Sequence, residues 1–129
     1  MTYLSQDLNI LDEMIQDRAK NELIEYSNGK RKVILAETDG TNYSVTVIQV
    51  PEDTIVIKSD YFEAPQNFFQ SKKGECKRSD FIMISNYNKK KFIIFIEMKQ
   101  TRAPEKEIIQ QFKGSECLIA YCQKIGQLF

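Results

Sequence analysis

Apolar positions recur along this chain in two rhythms. Between Leu4 and Tyr26, the residues Leu4, Leu8, Leu11, Ile15 and Ala19 follow one another at three- and four-residue steps, which lines one face of a helix. Ser27-Asn28-Gly29 then reads as its stop, because Asn and Gly accept the left-handed conformation that ends helices. Strand-like runs follow at 32–37 (KVILAE), 42–50 (NYSVTVIQV) and 54–59 (TIVIKS), separated by the hairpin signal Asp39-Gly40 and by Pro51-Glu52-Asp53. Residues 60–77 read as an irregular connection punctuated by Pro65 and Gly74, with Phe62, Phe68 and Phe69 expected to tuck it onto the core. Two further strands, 80–85 (DFIMIS) and 91–99 (KFIIFIEMK), are joined by the polar turn 86–90. Pro104 opens a last helix, whose stripe of Ile108, Phe112, Ile119 and Cys122 runs to about Lys124 with Gly126 as the stop. Helix, strands, helix within 129 residues predicts a single domain of the α/β or α+β class.

The last two strands carry charge at one end only. Side chains alternate between faces, so Asp80 lies on the face of Ile82 and Ile84, while Glu97 and Lys99 lie on the face of Ile93 and Phe95. Both faces are otherwise apolar, as in a central strand covered on both sides. A loop centred on Asn88 and Lys89 sets Ser85 opposite Phe92 and Ile84 opposite Ile93, and this register brings Asp80 opposite Glu97. Directly opposed β-carbons are roughly 4.5–5.5 Å apart. Two carboxylates that close repel by about 3 kcal/mol at an effective dielectric of ~20, and a divalent cation turns that repulsion into a binding site. Lys99, two residues beyond Glu97, would stand beside such an ion.

Composition narrows the chemistry. The chain has no histidine, which excludes Ser-His-Asp and Cys-His catalysis, and its three cysteines include no CxxC pair for zinc. Carboxylates, lysine or a metal remain. The net charge is zero, yet residues 1–71 carry a net charge of −6 and residues 72–102 of +6. Lys72, Lys73, Lys77 and Arg78 precede Asp80, and Arg102 follows Lys99, so these cations are the candidate contacts to a sugar-phosphate backbone. The sequence shows neither a membrane span nor a leader peptide, and the expected compartment is the cytoplasm.

Asp80, sixteen intervening residues and then Glu97-Met98-Lys99, on two strands with one helix before and one after, resembles the PD-(D/E)xK nuclease superfamily. The resemblance implies a restriction-endonuclease-like core, a central mixed sheet flanked by helices. It also implies Mg²⁺- or Mn²⁺-dependent phosphodiester hydrolysis, with nucleic acid, DNA foremost, as substrate. Asp80 and Glu97 would be metal ligands, the Met98 carbonyl would complete the shell, and Lys99 would be the catalytic lysine. Relatives add an acid on the first helix and a glutamine on the second. Glu22, within ~20° of the apolar stripe if the helix continues that far, answers to the first, the alternative being an exposed helix terminus. Gln111 answers to the second, with Gln110 adjacent. Ser79 stands where the motif has proline, and only Gln127-Leu128-Phe129 follow Gly126 where the fold usually adds a strand. A homodimer or a partner chain completing the sheet is one expectation, and an inactive nuclease-like fold that binds nucleic acid or protein is the alternative.

Overall fold

The computed structural model describes residues 4–36, 43–62, 68–99 and 102–129. The first apolar stripe forms α1 (Gln6–Met14), which buries Leu8 and packs Leu4, Leu11 and Ile15 against the same core. The helix stops well short of Tyr26. Ile15 is already extended, a short 3₁₀ turn occupies Asp17–Ala19, and two strands follow, β1 (Lys20–Asn21) and β2 (Ile24–Ser27). Asn28 and Gly29, at φ 44° and 79°, do not end a helix; they make the two-residue turn that pairs β2 with β3 (Lys30–Ala36). Asn-Gly with both residues at positive φ is the preferred hairpin connection, and ladder hydrogen bonds to β3 and β5 override the helical periodicity of the segment.

The remaining strands are β4 (Ser44–Val47), β5 (Thr54–Ile57), β6 (Phe81–Tyr87) and β7 (Lys90–Ile96). They form two sheets, a four-stranded one in the order β1-β5-β6-β7 and a three-stranded one in the order β2-β3-β4. Every pairing among the described residues is antiparallel, so the expected mixed sheet is corrected to two antiparallel sheets in an α+β arrangement. The β3–β4 hairpin pairs Ala36 with Ser44, while the Asp39-Gly40 turn itself lies outside the described residues.

The four-stranded sheet is covered by unlike layers. On one face Ile55, Ile57, Ile82 and Ile84 meet Leu8 of α1 and Leu118 and Ile119 of α2 (Glu105–Leu128). On the other, Val56, Phe81 and Met83 meet Val33 and Leu35 of the small sheet. Both helices therefore lie on one face of the four-stranded sheet, and the small sheet covers the other. β6 is central and buried, but β7 is an edge strand whose Phe92, Ile93 and Ile94 are 43%, 39% and 45% exposed, so the expectation of double cover fails there. Phe62, Phe68 and Phe69 are likewise exposed and do not anchor their loop to the core. α2 runs through Gly126, whose missing side chain faces Ile10 and Met14 of α1. Among the described residues no helix is long and apolar enough to cross a membrane.

Candidate functional site

The β6–β7 hairpin sets the site. Asn88 and Lys89 both take positive φ, 52° and 62°, and make a two-residue turn between Tyr87 and Lys90. The register that follows pairs Ser85 with Phe92, Ile84 with Ile93 and Phe81 with Ile96. Beyond the last pair the Asp80 N–H donates to the Ile96 carbonyl at 3.0 Å, and the Met98 N–H donates to Asp80 Oδ2 at 2.8 Å. Asp80 is thus held beside residues 96–98, as the even-length loop requires.

Glu97 is the centre of the constellation. Its side chain is 5% exposed, and Oε2 receives Lys99 Nζ at 2.7 Å and Gln111 Nε2 at 2.7 Å. Oε1 is buried without a hydrogen-bond partner, and so is Gln111 Oε1. Burial raises the Glu97 carboxyl above its ordinary range, the Asp80 charge adds to this, and Lys99 and Gln111 oppose it. Lys99 is raised in turn, chiefly by its hydrogen bond to Glu97, so its ammonium stays charged. A second acid, Glu107 in the first turn of α2, stands 3.9 Å from Lys99, and Tyr43 Oη donates to the Lys99 carbonyl at 3.0 Å.

Asp80, Glu97, Lys99 and Gln111 therefore come together, and of the two adjacent glutamines it is Gln111 that faces the acids; Gln110 accepts from Lys77 Nζ at 3.1 Å instead. The Met98 side chain is buried between the sheets, which leaves its main chain as its contribution at the rim. Glu22 is corrected: it lies between β1 and β2, exposed, and not on the first helix. It follows Asn21, which pairs with Val56, so the chain there runs away from the end of β5 that adjoins Asp80.

The predicted cations divide between two clefts. Arg102 lines a cleft of about 860 Å³ with Glu97, Lys99 and Ile108. Lys73, Lys77 and Arg78 line a separate, apolar cleft of about 690 Å³ with Phe69, Leu118 and Tyr121. Lys72 is exposed on the connecting loop. Arg78 donates to the carbonyls of Ser59, Cys76 and Asp60 at 3.1, 3.1 and 3.4 Å, which spends much of its guanidinium on holding that loop.

Two features were missed in the sequence. Asp60, just past β5, has its carboxyl raised by burial and by the charge of Asp80, and the same kind of signal marks it as marks Glu97: an acid ending an apolar strand. Three serines, Ser59, Ser79 and Ser115, are fully buried behind Asp80. Ser79 N–H donates to Ser115 Oγ at 2.8 Å, the two hydroxyls meet at 2.7 Å, and Ser59 Oγ donates to the Ser79 carbonyl at 2.6 Å. No spacing rule flags serines that meet only in the fold.

Among the described residues no group of three or more His, Cys, Asp or Glu side chains is arranged to hold a metal ion. What the site offers is the Asp80 and Glu97 carboxylates and two buried oxygens without a hydrogen-bond partner, Glu97 Oε1 and the amide oxygen Gln111 Oε1. That donor set fits a hard divalent cation such as Mg²⁺, which binds oxygen, uses one or two carboxylates and keeps several waters. Compared with family models, curated proteins and solved structures, the chain has no match.

Proposed function

We propose that this protein is a divalent-cation-dependent phosphodiesterase of the PD-(D/E)xK kind, acting on nucleic acid, DNA foremost. The observation that carries the reading is Glu97: a side chain 5% exposed, placed beside Asp80, with one oxygen lacking any donor. An unpaired buried acceptor costs about 1–3 kcal/mol, more when charged, unless a ligand supplies the missing partner. In chain order α1, the four strands β1 to β4, the β5-β6-β7 meander and then α2 give the helix, strands, helix succession that the resemblance implies, with Asp80 and Glu97 at the rim of the four-stranded sheet.

Asp80, Glu97, Gln111 Oε1 and the Met98 carbonyl would hold the cation. Mg²⁺ or Mn²⁺, when bound, supplies Lewis-acid polarisation of the phosphodiester and a more acidic water. Lys99 stays protonated, so its work is electrostatic: it holds a phosphate oxygen or orients the attacking water, and stabilises negative charge as it develops. Arg102, exposed on the same cleft, is positioned to meet the backbone of the substrate.

A catalytically silent binding module is the second reading, favoured by the Lys99–Glu97 ion pair, which balances the buried carboxylate without a cation. Cleavage of labelled duplex, single-stranded and branched DNA and of RNA, with Mg²⁺ or Mn²⁺, separates the two. The nuclease reading predicts metal-dependent cutting that Asp80→Ala and Lys99→Ala abolish while both variants stay folded. A folded native protein that cuts none of these substrates in either metal overturns it.

A further inference from the structure

One helix reaches both Glu97 and the residue before Asp80. Gln111 and Ser115 lie four residues apart on α2, so they share a face and are separated by about 6 Å along the axis. Gln111 Nε2 donates to Glu97 Oε2 at 2.7 Å, and Ser115 Oγ accepts the N–H of Ser79, the residue before Asp80, at 2.8 Å. Between them Gly114 lets the helix touch the incoming chain: a β-carbon there would lie 1.5 Å from the Lys77 carbonyl oxygen. Ser79 is held at both ends of its own backbone, since its carbonyl accepts from Ser59 Oγ at 2.6 Å and its N–H is taken by Ser115. All three serines are 0% exposed, so water does not compete for these bonds.

We propose that Ser115 is a positioning residue for the candidate cation site: through Ser79 it fixes the place of Asp80, on the same helical ruler by which Gln111 fixes Glu97. The inference rests on the metal-dependent reading above. Hydrophobic packing alone would dock α2 on the sheet, and it does so farther along through Leu118 and Ile119. The hydroxyl network instead ends on the residue beside the acid, where a small displacement changes the distance between two ligands of one ion.

The test is the Mn²⁺ affinity of the full chain, read by electron paramagnetic resonance of free Mn²⁺, which does not depend on turnover. Ser115→Ala is expected to weaken Mn²⁺ binding at least tenfold while far-UV circular dichroism shows the fold retained. Ile119→Val, one turn farther along the same helix, in the apolar core and outside the hydroxyl network, is expected to lower the melting temperature and leave the affinity unchanged. Ser59→Ala removes one bond of the same network and is expected to weaken binding less, which keeps the test decisive if Ser115→Ala does not fold. Native-like affinity in a folded Ser115→Ala, or in Ser59→Ala where only that variant folds, overturns the positioning role and leaves the metal reading standing. No Mn²⁺ binding by the native protein overturns both.

Discussion

Glu97 and Asp60 set the acid–base behaviour of the site. A carboxyl whose pKa is higher in the fold than in the unfolded chain contributes stability that is full below the unfolded value and lost as pH rises through the folded one. Glu97 is raised from 4.5, chiefly by burial, and Asp60 is raised from 3.8 for the same first cause. The metal-free protein is therefore expected to lose stability as pH climbs from below these ordinary values through the raised ones. Asp7 works in the opposite window: Lys91 holds it down to about 2, so its contribution is present above 3.8 and is lost as pH falls through about 2. Thermal melts from acid to neutral pH check this. Glu97→Gln should remove part of the loss toward neutral pH and leave the part that belongs to Asp60, whereas an unchanged profile would mean that Glu97 is not the titrating group.

At the scale of elements, α2 and the β6–β7 hairpin do the placing. Gly114→Ala would drive a methyl group into the Lys77 carbonyl, so either α2 or the chain before Asp80 must move. A loss of about 1–3 kcal/mol in urea unfolding is expected, as for other overpacked contacts. The hairpin was legible beforehand, because two apolar runs flank a polar loop whose even-length centre at Asn88 and Lys89 sets the register, and the register in turn predicted Asp80 beside Glu97. The first helix was not. Leu8, Leu11 and Ile15 do pack as a stripe, but the periodicity that runs on to Ala19 carried Glu22 with it, whereas the helix ends at Met14 and the chain beyond it pairs Lys20 and Asn21 with Ile57 and Val56. Local spacing cannot register a partner strand more than thirty residues away. The three serines were invisible for the same reason: each is unremarkable in its own segment, and their meaning arises where β6, α2 and the end of β5 converge.

On the scale of the whole molecule, sheet order brings the ends of β5, β6 and β7 to one side, so Asp60, Asp80 and Glu97 share a rim although they are spread through the sequence. The cationic segment does not gather there as a whole. Lys91 is taken by Asp7 at the opposite end of the strands, and Lys77 faces the second cleft, while Lys99 and Arg102 line the cleft of Glu97. Arg102→Ala is thus expected to weaken nucleic-acid binding and lower the salt dependence by about one phosphate contact, with Lys77→Ala nearly silent, as measured by fluorescence anisotropy across a salt series. Equal losses in the two variants would place the substrate elsewhere. The rim formed by Asp80 and Glu97 is the proposed divalent-cation site. Calorimetric titration of the folded native protein and of Glu97→Gln with Mn²⁺ at neutral pH tests this most directly. The account predicts saturable binding at one site in the native protein, lost or weakened at least tenfold in the variant; no binding to the native protein, or equal binding to both, would contradict it.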